Sequence, residues 1–162
     1  MLRITKQTDY GIVLMTLFAA KSDGQAKSAR ELARETGLPL PMVGKILKLL
    51  VRDGMLASQR GARGGYRLSR NASLINVADI IRALEGPIAI TECVETGPGG
   101  CRFTGACSLQ PNWLRINQAI LHALQAITLA DMAPEDITRA APACDGLRQA
   151  GAVLDRLAEG VS

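Results

Sequence analysis

The stretch SARELARETGLPLPMVGKILKLLVRDGMLASQRGARGGYRLS, residues 28–69, decides the fold. Its first four residues, Ser28-Ala29-Arg30-Glu31, spell a capping box. The serine caps free amides, and the glutamate three positions on reaches back to the cap residue. The short helix opened there ends at Gly37. Leu38-Pro39-Leu40-Pro41 is a tight connector, and Pro41 suits a helix start, where a missing N–H costs no hydrogen bond. A third helix then runs to about Asp53. Val43, Ile46, Leu47, Leu50 and Val51 face inward at helical spacing, with Lys45, Lys48 and Arg52 on the other side. Gly54 ends it. Met55 to Ser58 and Tyr66 to Ser69 read as two strands, joined by a basic, glycine-rich turn from Gln59 to Gly65. Two short helices around a tight turn, then a hairpin, is the order of a winged helix-turn-helix.

Working outward, Thr5 or Thr8 can cap a first helix reaching about Ala20, with Ile12, Val13, Leu14, Leu17 and Phe18 as its apolar positions. Asp9 before that apolar run and Lys21 after it favour a buried helix over a signal peptide. No apolar run is long enough to span a membrane. Val77 to Leu84 reads as a fourth helix. Pro111 or Asn112 opens a long one expected to reach about Asp131, with Trp113, Ile116, Ile120, Leu124 and Ile127 on one face. A helix this apolar outside the head calls for a partner helix. The expected fold is mainly α with a small β-hairpin wing. Residues 1–86 form the winged helix-turn-helix, 87–111 a cysteine loop, 112–131 a dimerisation helix, and 132–162 an extension of open role.

Aromatic residues are 3% of the 162, so aliphatic side chains must fill the core. The net charge of +4 permits nucleic-acid binding. Its distribution says more: from Arg3 to Arg70, 13 basic residues face 5 acidic ones, and from Asn71 onward acids exceed bases. The basic half is the half with the DNA-binding pattern. Leu40, Pro41, Met42 and Lys45 lie where a recognition helix meets base edges. Only the lysine makes a strong polar contact there, and Lys48 suits a phosphate. Ser28 and Ala29 place amides at a helix N-terminus, which also suits a phosphate. In the wing, Arg60, Arg63, Gly64, Gly65 and Tyr66 join cations to glycines that allow close backbone approach, and an arginine at such a tip can enter a narrow minor groove. Tyr66 reads equally as a ring packed under the wing.

Cys93, Cys101 and Cys107 share one short loop with Gly97-Pro98-Gly99-Gly100 inside it. Thiolates suit iron–sulfur clusters, zinc and copper(I). Structural zinc favours close pairs such as Cys-x-x-Cys, which are absent here. Spread cysteines on a flexible loop better suit a larger cluster, which expects four ligands. Cys144, far along the chain, reads as an incidental thiol, and His122 as a solvated histidine. A metal-free dithiol switch competes with the cluster. The chain shows no phosphate loop and no acid–base pair of recognisable spacing, so an enzyme is not expected.

Three motifs in order now carry a resemblance: the start Met1-Leu2-Arg3-Ile4-Thr5-Lys6-Gln7-Thr8-Asp9-Tyr10-Gly11, the wing Arg63-Gly64-Gly65-Tyr66-Arg67-Leu68, and the three-cysteine loop. Over about residues 1 to 131 the chain resembles the IscR-type (Rrf-two) bacterial regulators. Its start looks closest to regulators of the SUF assembly operon. The resemblance implies a cytoplasmic, homodimeric, winged-helix protein that binds double-stranded operator DNA. It implies a 2Fe–2S or 4Fe–4S cluster held by Cys93, Cys101 and Cys107, and control of iron–sulfur assembly, iron uptake or nitrosative-stress genes. Where IscR carries a histidine ligand, three residues after the last cysteine, this chain has Gln110, a poor iron ligand. The nitric-oxide-sensing branch instead uses an aspartate of the first helix, donated by the other subunit, and Asp9 matches that position. Asp9 also reads as a helix N-terminal acid stabilised by the dipole.

Overall fold

The computed structural model describes residues 4–20, 25–61, 64–92, 94, 101 and 107–133. Arg63, Cys93, Cys144 and the helical segment expected around Leu147 to Leu157 lie outside them. The described chain runs α1 (Lys6–Ala20), α2 (Ala29–Thr36), α3 (Leu40–Arg52), β1 (Leu56–Gln59), β2 (Gly65–Leu68), a 3-10 turn (Ala72–Leu74), α4 (Val77–Glu85), α5 (Gln110–Gln125) and α6 (Leu129–Met132). This is the winged helix-turn-helix that the sequence predicts, with the hairpin shifted by one residue.

The capping box forms as written in the sequence. The Glu31 amide donates to Ser28 Oγ at 3.2 Å, and the Ser28 amide donates to the Glu31 carboxylate at 2.7 Å. On α3, Val43, Ile46, Leu47 and Leu50 turn inward and are fully buried. They meet Leu14, Met15 and Phe18 of α1 and Ile80 and Leu84 of α4 in one aliphatic core. The low aromatic content leaves this job to branched side chains, which fill a small helical core well. α1 lies against α3, α4 and α6. Its N-terminus is tied to the end of α4: the Thr5 amide donates to Glu85 Oε1 at 2.9 Å, and the Gln7 side chain to the Leu84 carbonyl at 3.2 Å. Hydrogen bonds from the Thr8 hydroxyl and then from Thr5 hold the Glu85 carboxyl below the usual carboxylate range.

The wing is an antiparallel pair, with Leu56 opposite Leu68 and Ser58 opposite Tyr66. A third segment joins it. The Lys27 amide donates to the Tyr66 carbonyl at 2.9 Å, and the Tyr66 amide returns to the Lys27 carbonyl at 2.8 Å. This pairing requires Gly65, since a Cβ there would stand 2.6 Å from the Lys27 carbonyl oxygen.

The long helix differs from expectation. It starts at Gln110, ends at Gln125 and does not continue to Asp131. The chain turns, and a second capping box opens α6: the Asp131 amide donates to Thr128 Oγ1 at 3.2 Å, and the Thr128 amide to the Asp131 carboxylate at 2.8 Å. Leu129 is thereby driven into the core of the head, where it is fully buried. That burial, worth about 2 kcal/mol for a leucine side chain, selects the turn over a straight helix.

We predict that Gly65→Ala loosens the wing from the head. The methyl must push the Lys27 strand away, an overpacking cost of about 1–3 kcal/mol. Thermal unfolding should show a midpoint several degrees lower. An unchanged midpoint would mean that the three-segment pairing contributes little.

Candidate DNA interface and cysteine loop

The recognition face is built by α3. Its inward positions are taken by the core, so Pro41, Lys45 and Lys48 are left exposed on the outer side. Leu40 and Met42 flank them and are 43% and 36% exposed. Within α3 there is no acidic residue. The nearby acids of α2 are engaged internally. Glu31 closes the capping box, and Glu35 accepts from the Lys27 ammonium at 2.7 Å.

Ser28 and Ala29 sit at the N-terminus of α2, as the sequence places them. The Ser28 amide is not free for a phosphate, because the Glu31 carboxylate already accepts from it. Ala29 and Arg30, as the first two helical positions, have no intrahelical acceptor for their amides. In the wing, Arg60 and Arg67 are exposed. Gly64 and Gly65 have an internal reason for being glycine. A Cβ on Gly64 would stand 2.5 Å from the Gln59 carbonyl oxygen, and Gly65 faces Lys27. Tyr66 is half-buried and packs against the core. The sequence left this packing and a DNA contact side by side, and the packing is realised. Lys27, which bridges to Tyr66, carries no signal in the sequence, because a single bridging residue has no periodic signature.

Of the cysteines, Cys101 and Cys107 are described, both half-buried. Among the described residues no three metal-ligating side chains come together. Cys107 stands just before α5, and its carbonyl accepts from the Gln110 amide at 3.2 Å. Gln110 itself is the first residue of that helix. Asp9 is exposed on the first turns of α1, with its amide bonded to the Thr5 carbonyl at 3.0 Å. His122 is exposed on α5. Among the described residues no helix is long and apolar enough to cross a membrane.

A residue that the sequence did not single out organises this region. Asn117, 8% exposed, faces inward from the middle of α5. Its side-chain nitrogen donates to the Ile88 carbonyl and its oxygen accepts from the Ile90 amide, both at 3.1 Å. One amide side chain thus mimics a strand partner for the segment that leads to Cys93. A lone asparagine among apolar neighbours in a helix interior is the available signal, since such a residue is there against its propensity. Around it lies a cavity of about 270 Å³ between α4, α5 and the 87–94 segment. Of the apolar stripe expected on this helix, Trp113 and Ile116 are 38% and 44% exposed and Ile120 and Leu124 are half-buried, while Leu114 beside them is 42% exposed.

Known proteins share this arrangement. The profile of the Rrf2 family, described as iron-dependent transcriptional regulator, matches residues 4–135. Protein aau3 of Rhizobium meliloti (strain 1021) is 34% identical over 131 residues, spanning 81% of this chain and 84% of that protein. The structure of CymR (YrzC), the global cysteine regulator of B. subtilis, is similar with a TM-score of 0.65 and 32% identity, covering 82% of this chain and 97% of that one. That of T. potens IscR is similar with a TM-score of 0.61 and 30% identity, covering 81% and 85%. The matched family is one of transcriptional regulators, and CymR is a regulator by its own description. With its helix-turn-helix head, its hairpin wing and a family match over most of its length, the chain belongs to the Rrf2 family of winged-helix transcriptional regulators.

Proposed function

We propose that this regulator is a cytoplasmic homodimer that senses an iron–sulfur cluster and represses genes of SUF-type cluster assembly or iron homeostasis. The exposed Trp113, Leu114 and Ile116 of α5 form the surface that a second copy covers, and the two heads then read a palindromic operator duplex. Cys93, Cys101 and Cys107 hold the cluster, with Asp9 of the other subunit as the fourth ligand. The donor chemistry fits: the half-buried Cys101 and Cys107 offer soft sulfur ligands for iron, and the Asp9 carboxylate is exposed. When bound, the cluster supplies a group that is gained or lost with iron supply, oxygen or nitric oxide.

The observation that carries this reading is the place of Cys107, directly before α5 with its carbonyl bonded to the Gln110 amide. A thiolate anchored there is anchored to the helix that also forms the outward apolar face. The chain's own residues then do the transmission. Asn117 grips the 88–90 backbone, and Leu129 holds the far end of the helix in the head. A change in the loop thereby alters the spacing of two heads.

A metal-free thiol switch is the second reading. It is favoured by the similarity to a cysteine regulator. It requires a disulfide on oxidation and no iron.

Two variants test the proposal. Asp9→Ala, prepared without oxygen, should lose its visible cluster absorbance several-fold faster in air while its thermal midpoint is kept. Equal rates of loss would remove Asp9 from the site. Arg63→Ala should weaken binding to the duplex upstream of the regulated genes by about tenfold, the size of a typical lost DNA contact. Wild-type affinity in that variant would remove the wing tip from the interface.

A further inference from the structure

The folded chain gives no internal reason for Gly44. It stands in the interior of α3, where glycine is among the least favourable residues because its backbone gives up the most freedom. Gly11, in α1, has a packing reason, since a Cβ there would strike the Leu84 side chain. At Gly44 no atom beyond the helix's own backbone lies within 4 Å of where a Cβ would stand, and its φ is not positive. Alanine would fit and would stabilise the helix.

Gly44 is half-buried on α3, one turn beyond the exposed Leu40, one turn before the exposed Lys48, and opposite the buried Ile46. On the same exposed end are two apolar side chains, Leu40 and Met42, and the lysines follow at Lys45 and Lys48. The major groove offers an apolar side chain one apolar group, the C5-methyl of thymine. Contact with it is helped when the helix backbone is seated deep, and a position without a side chain allows that.

Resting on the assignment of α3 as the recognition helix, we propose that Gly44 is where the helix backbone comes closest to DNA, and that Leu40 and Met42 beside it read thymine methyl groups. Lys45 and Lys48 then reach outward to phosphates. Sequence preference at this helix comes from shape and methyl contact, with few polar base contacts.

The test uses the full-length protein and a duplex that it selects from a random-sequence library. Wild type, Gly44→Ala and Lys48→Ala are measured on that duplex, on a scrambled duplex, and on the selected duplex with uracil replacing thymine. Gly44→Ala should raise the thermal midpoint by about 2–4 °C. It should also weaken binding to the selected duplex by roughly tenfold or more while leaving the scrambled duplex unaffected. The uracil duplex should bind wild type several-fold more weakly. Lys48→Ala should weaken all duplexes alike. Wild-type affinity of Gly44→Ala for the selected duplex, or no loss with uracil, overturns the proposal while a Lys48→Ala defect keeps the recognition-helix assignment. No defect in either variant overturns both.

Discussion

One buried side chain, Leu129, joins the long helix to the DNA-reading head. Around it the backbone is stitched twice: the Val77 amide donates to the Ile127 carbonyl at 3.0 Å, and the Leu129 amide to the Ile75 carbonyl at 2.7 Å. These bonds hold the end of α5 against the start of α4. Asn117 makes a second attachment halfway along, and Cys107 stands at the other end. A 16-residue helix spans about 24 Å and moves as a rod. Helix and head therefore form one mechanical unit. Under the proposed function, a constraint at Cys107 is passed along this unit to the head; a coupling of about 1–3 kcal/mol is the usual size for such regulation.

The head's chemistry complements that arrangement. Its positive charge is kept available because several of its acids are engaged internally. Glu31 is spent on its helix cap and Glu35 on Lys27, while Glu85 is held by Thr8 and Thr5 at the start of α1. The cations of α3 and the wing are left facing solvent. Phosphate attraction of this kind gives affinity that falls with salt and is blind to sequence. Selectivity must then come from groove shape and from the apolar end of α3.

Much of the head was legible in the sequence because local signals agreed with one another. The Ser28 and Glu31 pair, Pro41, and the spacing of Val43, Ile46, Leu47 and Leu50 each have a local physical cause, and each appears as expected. The break in the long helix was not read, although Thr128 and Asp131 form the same kind of box as Ser28 and Glu31. The apolar spacing continued through Ile127 and hid it. The wing glycines were read as making room for DNA, whereas Gly64 and Gly65 make room for the chain's own Gln59 and Lys27. That contact joins segments distant in sequence, and no periodicity reports it. Asn117 was unread for the same reason, since its partners lie 27 and 29 residues away.

The central claim is that this regulator carries its signal as a cluster on a dimer. Native mass spectrometry of protein purified without oxygen tests it most directly. The account predicts a dimer with the added mass of iron and sulfide, and the increment names the cluster type. A dimer of bare polypeptide that still binds DNA would contradict it and favour the thiol switch.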